Sequence, residues 1–312
     1  MKKIFYSILI FLLILLNFST VCADDVDNEG EFENTVEVTA SSVTALPKTN
    51  SRRYIVYDRI SKSMIIGKNE DVKSAMASTT KIMTTIVILE KSDLDETVTV
   101  SAKAGGTGGS RLGLKRGDKA SVKDLLYGLM LRSGNDAAVA LAEHVGGSVK
   151  EFAELMNEKA IELGLTNTHF VTPHGLDDAN HYTTALELAK LTDYAMDNET
   201  FAKIVGTKST TIYINNQPRQ INNTNELLGV LNGVVGVKTG FTNNAGRCLV
   251  TETKRNNMDI ITIVLGADTK KDRTKDSVNL IEYTFSKYKM YNLEEQIIAV
   301  SYTHLRAHET SQ

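Results

Sequence analysis

At 312 residues, with 42% hydrophobic and 23% charged residues and three prolines, the chain can bury a full core as one large domain or two. Disordered and collagen-like classes are excluded. The net charge of −3 leaves no electrostatic footprint for nucleic acid.

Lys2 and Lys3 precede the apolar run "IFYSILIFLLILL", and a small-residue site follows at Val21-Cys22-Ala23. This pattern reads as a secretory signal peptide over residues 1–23, because the run is shorter than the roughly 20 residues a membrane-spanning helix needs. The bulky Val21 disfavours a lipid-modified Cys22. Cleavage after Ala23 places the protein outside the cytoplasm and leaves Cys248 as its one cysteine, so no internal disulfide can form. Cys248 lies in the strand-like "GRCLVTE", where a buried thiol is the common outcome. Residues 24–45 are acidic and then Ser/Thr-rich, with the composition of a leader.

"RRYIVYDRISKSMIIGKN" alternates as a hairpin of two strands about Arg59 to Ser63. Apolar spacing of three and four predicts helices over 79–91, 121–131, 136–145, 148–163, 184–196 and 270–289. Ser121 and Asp136 suit a helix start, and Gly146-Gly147 a stop. "GVVGVKTGFT", "AGRCLVTETKR" and "MDIITIVLGA" read as three strands turning near Asn243 and Asn256. Early strands, a helical middle, late strands and a last helix describe an α+β fold, an antiparallel sheet with helices against it. "GGTGGS", Gly105 to Ser110, lacks the Gly-Lys-Ser/Thr ending of a phosphate loop and reads as a flexible surface loop.

Ser78 and Lys81 in "MASTTKIMTT" stand three apart, but Ser286 and Lys289 do so too. Placement separates them: Ser78 opens a helix, where free N–H groups and the dipole favour an oxyanion, whereas Ser286 sits near a helix end. Residues i and i+3 share a face, so Lys81 can reach the Ser78 hydroxyl. A lysine accepts that proton only if burial or a second cation destabilises its ammonium. Lys238 in "GVKTGFT" is the candidate second cation. Ser133 and Asn135, in a turn that Gly134 allows, offer a hydroxyl to relay a proton and an amide to orient the lysine or a substrate carbonyl.

Ser78-Thr79-Thr80-Lys81, Ser133-Gly134-Asn135 and Lys238-Thr239-Gly240 together resemble the signature motifs of penicillin-binding proteins and serine β-lactamases. With "SGNDAAVALAEH", "FVTPHGLDDANHYTTALELA" and "GVKTGFTNNAGRCLV", the chain is similar over residues 45 to 290 to the low-molecular-weight serine-type D-Ala-D-Ala carboxypeptidases, peptidase S11. The resemblance implies a five-stranded antiparallel sheet flanked by helices with a helical subdomain, residues 46–290 forming the catalytic domain. It implies Ser78 as nucleophile, Lys81 as base and Ser133 as proton shuttle. Asn135, Lys238, Thr239 and Gly240 would bind substrate, and the N–H groups of Ser78 and Phe241 would form the oxyanion hole. Arg273 matches the family's cation for the terminal carboxylate of the substrate. The implied substrates are peptidoglycan stem peptides ending in D-Ala-D-Ala, with β-lactams as covalent inhibitors and no cofactor. A D,D-endopeptidase and a catalytically weak penicillin-binding scaffold are the alternatives.

The deacylating glutamate string of class A β-lactamases is missing; Glu151 and Glu154, the nearest candidates, belong to an amphipathic helix. His169, His174 and His181 lack zinc spacing, and the resemblance makes their loop structural. Many family members continue into a small β domain and an amphipathic membrane anchor. Residues 291–300 read as the start of that domain and 301–312 as a non-native tail, so a longer natural protein is expected, whose missing anchor could associate it with the membrane; the residues present leave anchoring open.

Overall fold

The computed structural model describes residues 45–290. The signal peptide, the leader up to Thr44, the strand expected after Met290 and the 301–312 tail lie outside the described residues. Arg53–Asp58 (β1) and Ser63–Lys68 (β2) form the expected hairpin, Tyr54 facing Lys68 and Asp58 facing Ser63. The three late strands are Val234–Thr242 (β7), Gly246–Arg255 (β8) and Met258–Ala267 (β9). All five make one antiparallel sheet in the order β2-β1-β9-β8-β7. β7 is therefore an edge strand.

Alternation explains how helices cover both faces of this sheet. Ile55 and Tyr57 of β1, with Ile261, Ile263 and Leu265 of β9, join the main core toward the helical part of the chain. Tyr54, Val56, Ile260 and Val264 point the other way, against Leu280 of the last helix, Lys270–Lys287 (α8). Strands covered on both faces read as continuous apolar runs, as "MDIITIVLGA" does.

The helical part comprises Lys81–Lys91 (α1), Ala102–Gly106 (α2), Val122–Leu131 (α3), Asn135–Gly146 (α4), Val149–Glu162 (α5), Ala185–Met196 (α6) and Glu199–Val205 (α7). Side-chain oxygens cap their starts: Ser121 accepts from Asp124 N at 3.0 Å, Ser148 from Glu151 N at 3.1 Å and Thr184 from Glu187 N at 3.1 Å. Gly147, with φ of 79°, closes α4 as a left-handed C-cap. Two short two-stranded sheets complete the fold. One pairs Thr97–Thr99 (β3) with Lys119–Ser121 (β4); the other pairs Ser209–Ile214 (β5) with Gln217–Asn222 (β6). These four strands and the short helices α2 and α7 are not anticipated by the sequence reading. Among the described residues no helix is long and apolar enough to cross a membrane.

Candidate active site

A 3-10 turn over Ala77–Thr80 leads into α1 and carries Ser78 at its second position. Ala77 takes φ of 48°, a conformation that costs a non-glycine residue on the order of 1 kcal/mol and marks a tightly constrained segment. Two neighbours hold it. Gly175, itself at φ of 86°, lies so close that an added Cβ would come within 1.9 Å of the Ala77 carbonyl oxygen. Gly240 of β7 approaches from the other side, and a Cβ there would stand 3.0 Å from Ser78 N. The edge strand thus packs its backbone against the amide of Ser78, so closely that any side chain at position 240 would press on it.

Ser78 is 2% exposed and Lys81 fully buried. Lys81 Nζ lies 2.7 Å from Ser78 Oγ, 2.7 Å from Asn135 Oδ1 and 3.0 Å from His174 O. These three acceptors are neutral oxygens, and burial disfavours the charged form of an amine. The same geometry suits a neutral amine, which donates to the Asn135 and His174 oxygens and accepts the hydroxyl proton of Ser78. Asn135 is fixed in turn: its Nδ2 donates to Gly108 O at 2.9 Å and its backbone N to Ser110 O at 2.7 Å. The glycine-rich stretch expected to be a flexible surface loop is therefore a support of the site. Asp136, also buried, secures the next residues by accepting from Leu112 N at 2.9 Å, Gly113 N at 2.8 Å and Leu114 N at 2.9 Å.

Ser133 has φ of 59° and is 5% exposed, and its Oγ has no hydrogen-bond partner among the described residues. Lys238, buried on β7, donates to Thr239 O at 3.0 Å. The Thr239 hydroxyl lies 2.8 Å from Thr224 Oγ1. Phe241 stacks under the Arg247 guanidinium, 3.9 Å from the ring centroid, as its cross-strand partner. Arg273, in the first turn of α8, is fully buried with Nη2 3.2 Å from Glu226 Oε1. The sequence reading missed Glu226, which also takes Lys270 at 3.4 Å. Cys248 is buried on β8 opposite Gly240.

The 170s loop is structural support. His181 Nδ1 accepts from Val171 N at 3.0 Å while Nε2 meets Thr80 Oγ1 at 2.7 Å, so both ring nitrogens are occupied by the protein. Burial above all pushes the His174 pKa down to about 3. Burial is also the main cause for His181, lowered to about 4 against the opposing pull of Asp178. Both rings are neutral at ordinary pH. Among the described residues no group of three or more His, Cys, Asp or Glu could hold a metal ion. Glu151 and Glu154 are exposed on α5, and Ser286 is exposed with its hydroxyl on Tyr283 O.

Residues 39–269 match the family described as D-alanyl-D-alanine carboxypeptidase, peptidase S11. The chain belongs to this family. It is 37% identical over 245 residues to the D-alanyl-D-alanine carboxypeptidase DacF of Bacillus subtilis, covering 77% of this chain and 63% of that one. To DacC of Escherichia coli it is 38% identical over 270 residues, covering 79% and 64%. The chain spans 63–65% of the length of these relatives and of a Haemophilus influenzae DacA. Among solved structures, the DD-transpeptidase of Streptomyces K15 superposes with a TM-score of 0.74 at 34% identity, covering 78% of this chain and 99% of that one. DacD of Francisella tularensis does so with 0.73 at 30% identity, covering 83% and 76%. The α+β fold expected from the sequence is the fold of these DD-peptidases.

Proposed function

We propose that this S11 family member is a serine D,D-carboxypeptidase that removes the terminal D-Ala from peptidoglycan stem peptides ending in D-Ala-D-Ala. The observation that carries the reading is the buried Lys81 amine 2.7 Å from the Ser78 hydroxyl, steered by Asn135. Ser78 Oγ bonds to the penultimate carbonyl carbon as its proton passes to Lys81 Nζ. The carbonyl electron pair moves onto oxygen, where the N–H groups of Ser78 and Phe241 receive it. The close packing of Gly240 on Ser78 N supports that pairing of amides. Collapse breaks the C–N bond, and the proton returns from Lys81 to the departing D-Ala amine, with Ser133 Oγ as relay. Water then attacks the ester carbon and gives a proton to Lys81; collapse breaks the C–Oγ bond, Lys81 returns the proton to Ser78 Oγ, and the shortened peptide leaves as its acid.

Lys238 is the second cation, and Thr239 and Gly240 line the substrate strand along the open edge of β7, the usual way an extended peptide adds to a sheet. Arg273 takes the terminal carboxylate, in competition with Glu226. A β-lactam would acylate the same serine and leave slowly. No cofactor enters these steps. Residues 1–23 direct the chain out of the cytoplasm, where S11 enzymes meet peptidoglycan, and 46–290 is the catalytic domain. Membrane association would need an anchor beyond residue 300.

The test is D-Ala release from a synthetic peptide ending in D-Ala-D-Ala. The wild type should release it and Ser78→Ala should not; release by Ser78→Ala, or none by the wild type, ends the reading. Cleavage of cross-linked dimers in preference to the linear peptide would favour the endopeptidase instead.

A further inference from the structure

Three arginines on three separate segments converge beside the active site, with no acidic ion-pair partner among the described residues. Arg111, Arg132 and Arg219 line one cleft of about 250 Å³, and no carboxylate lines it with them. Arg52, Arg59, Arg255 and Arg273 each have a carboxylate partner. In contrast, Arg219 Nη1 donates to Leu112 O and Arg111 Nη2 to Gly105 O. The acid that feels Arg219 is Asp118, held below its ordinary pKa first by the Lys115 N–H, and its oxygens are engaged by that N–H and by Asn215. In a chain of net charge −3, a pocket with three guanidinium groups and only neutral lining otherwise selects anions, carboxylates above all, which the planar fork grips in pairs.

Its place joins it to the catalytic groups. Arg132 directly precedes Ser133. Leu112, in the pocket wall, donates its N–H to Asp136 and packs on Gly134, where an added Cβ would meet Leu112 Cγ at 3.0 Å. On the opposite wall, Asn222 stands two residues before Thr224, whose N–H donates to Leu131 O and whose hydroxyl touches Thr239. The pocket thus adjoins both the Ser133-Gly134-Asn135 turn and the Lys238-Thr239-Gly240 strand.

We infer that this three-arginine pocket is a subsite for a carboxylate carried by the substrate peptide upstream of the bond that is cut. The inference rests on the carboxypeptidase reading. Arg273 takes the terminal carboxylate in that reading, so the three arginines beside the Ser133-Gly134-Asn135 turn are left for a second carboxylate, one carried on the acyl arm of the peptide. Arg111 and Arg132 are exposed, so they meet substrate without rearrangement of the core, and both can be replaced without disturbing it.

The experiment compares two synthetic peptides ending in D-Ala-D-Ala, one with a free carboxylate on the residue upstream of the two alanines and one with that group amidated. Each is turned over by the wild type and by an Arg111→Ala/Arg132→Ala double variant, with penicillin labelling as the measure of an intact Ser78 site. The wild type should prefer the free carboxylate about tenfold in kcat/KM at low salt, the size expected of a partly exposed charge-assisted contact. The double variant should label normally and lose that preference, and 0.5 M salt should shrink it in the wild type. Equal turnover of both peptides by a normally labelling wild type overturns the subsite alone. A preference that survives in the double variant does so too, because it then arises elsewhere. A wild type that labels but releases D-Ala from neither peptide overturns the carboxypeptidase reading and the subsite with it.

Discussion

Asn135 holds Lys81 through its amide oxygen at 2.7 Å and is itself locked by the Gly108 carbonyl on its amide nitrogen at 2.9 Å. The second contact fixes which end of the amide faces the lysine. Asn135→Asp would replace a neutral acceptor by a carboxylate at the same place. An anion at that distance stabilises the ammonium and withdraws the base. Acylation by penicillin at pH 7 should fall at least tenfold. Unchanged acylation would mean that Lys81 is not the base.

Gly240→Ala tests the contact between β7 and the nucleophile. Its methyl group would stand 3.0 Å from Ser78 N and 3.2 Å from Ala77 Cβ, so strand and turn must separate. A displacement of a few tenths of an ångström at the proposed oxyanion hole is expected to lower kcat/KM about tenfold. Thermal unfolding should drop by only a few degrees. Loss of stability without loss of activity per folded molecule would contradict a role for this contact in catalysis.

Arg273 and Glu226 test recognition of the terminal carboxylate. Arg273→Lys keeps the charge but loses the planar fork, so it should raise KM for D-Ala-terminated peptides about tenfold with kcat little changed. A depsipeptide whose terminal carboxylate is methylated should be affected hardly at all. An equal loss for both substrates would assign Arg273 to holding α8 in place.

Two buried systems set the pH dependence of stability in opposite directions. Burial lowers the pKa of His174 to about 3 and that of His181 to about 4, from the ordinary imidazole value of about 6.5. Their contribution is complete above pH 6.5 and is lost as the pH falls through 4 and 3, by roughly 1.4 kcal/mol per pH unit for each ring. Glu252 moves the other way. Arg59 bonds Glu252 and Asp193, Asp197 and Asp259 surround it, with Lys62 and Lys254 at the margin. Three cations face four carboxylates, and the fully buried Glu252 keeps the extra proton, its pKa raised to about 7 by burial and then by Asp259. Its contribution is complete below pH 4.5 and is lost as the pH rises through 7. These groups place maximal stability near pH 6.5 by that reckoning. Tm should fall steeply below pH 6, and Glu252→Gln should remove the smaller decline between pH 6.5 and 8. A Tm flat from pH 4.5 to 6.5 would contradict the histidine part.

Much of this architecture is legible in the residues, and the gaps have physical reasons. The five strands of the main sheet and the six longer helices carry clear periodicity, and capping residues such as Ser121 mark their starts within about a turn. The β5–β6 hairpin escaped notice although Asn215-Asn216 is the same dipeptide as Asn256-Asn257, and all four residues take positive φ. The strand after Asn256-Asn257 is the apolar run "MDIITIVLGA", whereas "QPRQIN" is mostly polar and exposed and gives little alternation to read. Of the site, Ser78, Lys81 and Asn135 were recognisable because three short motifs stand in a fixed order. Glu226, the Arg59 network and the three-arginine pocket were not, because each joins residues tens to hundreds of positions apart with no local pattern. The glycine-rich loop was misread for a related reason: its support of Asn135 comes from backbone carbonyls, which leave no trace in side-chain identity.

The central claim is that Ser78 is the nucleophile that Lys81 activates. The direct measurement is mass spectrometry of the protein after incubation with benzylpenicillin, with the modified residue located by peptide mapping. One adduct on the peptide containing Ser78, lost in Ser78→Ala and slowed at least a hundredfold in Lys81→Ala, is the predicted result. An adduct on another serine such as Ser286, or an unmodified wild type, would contradict it.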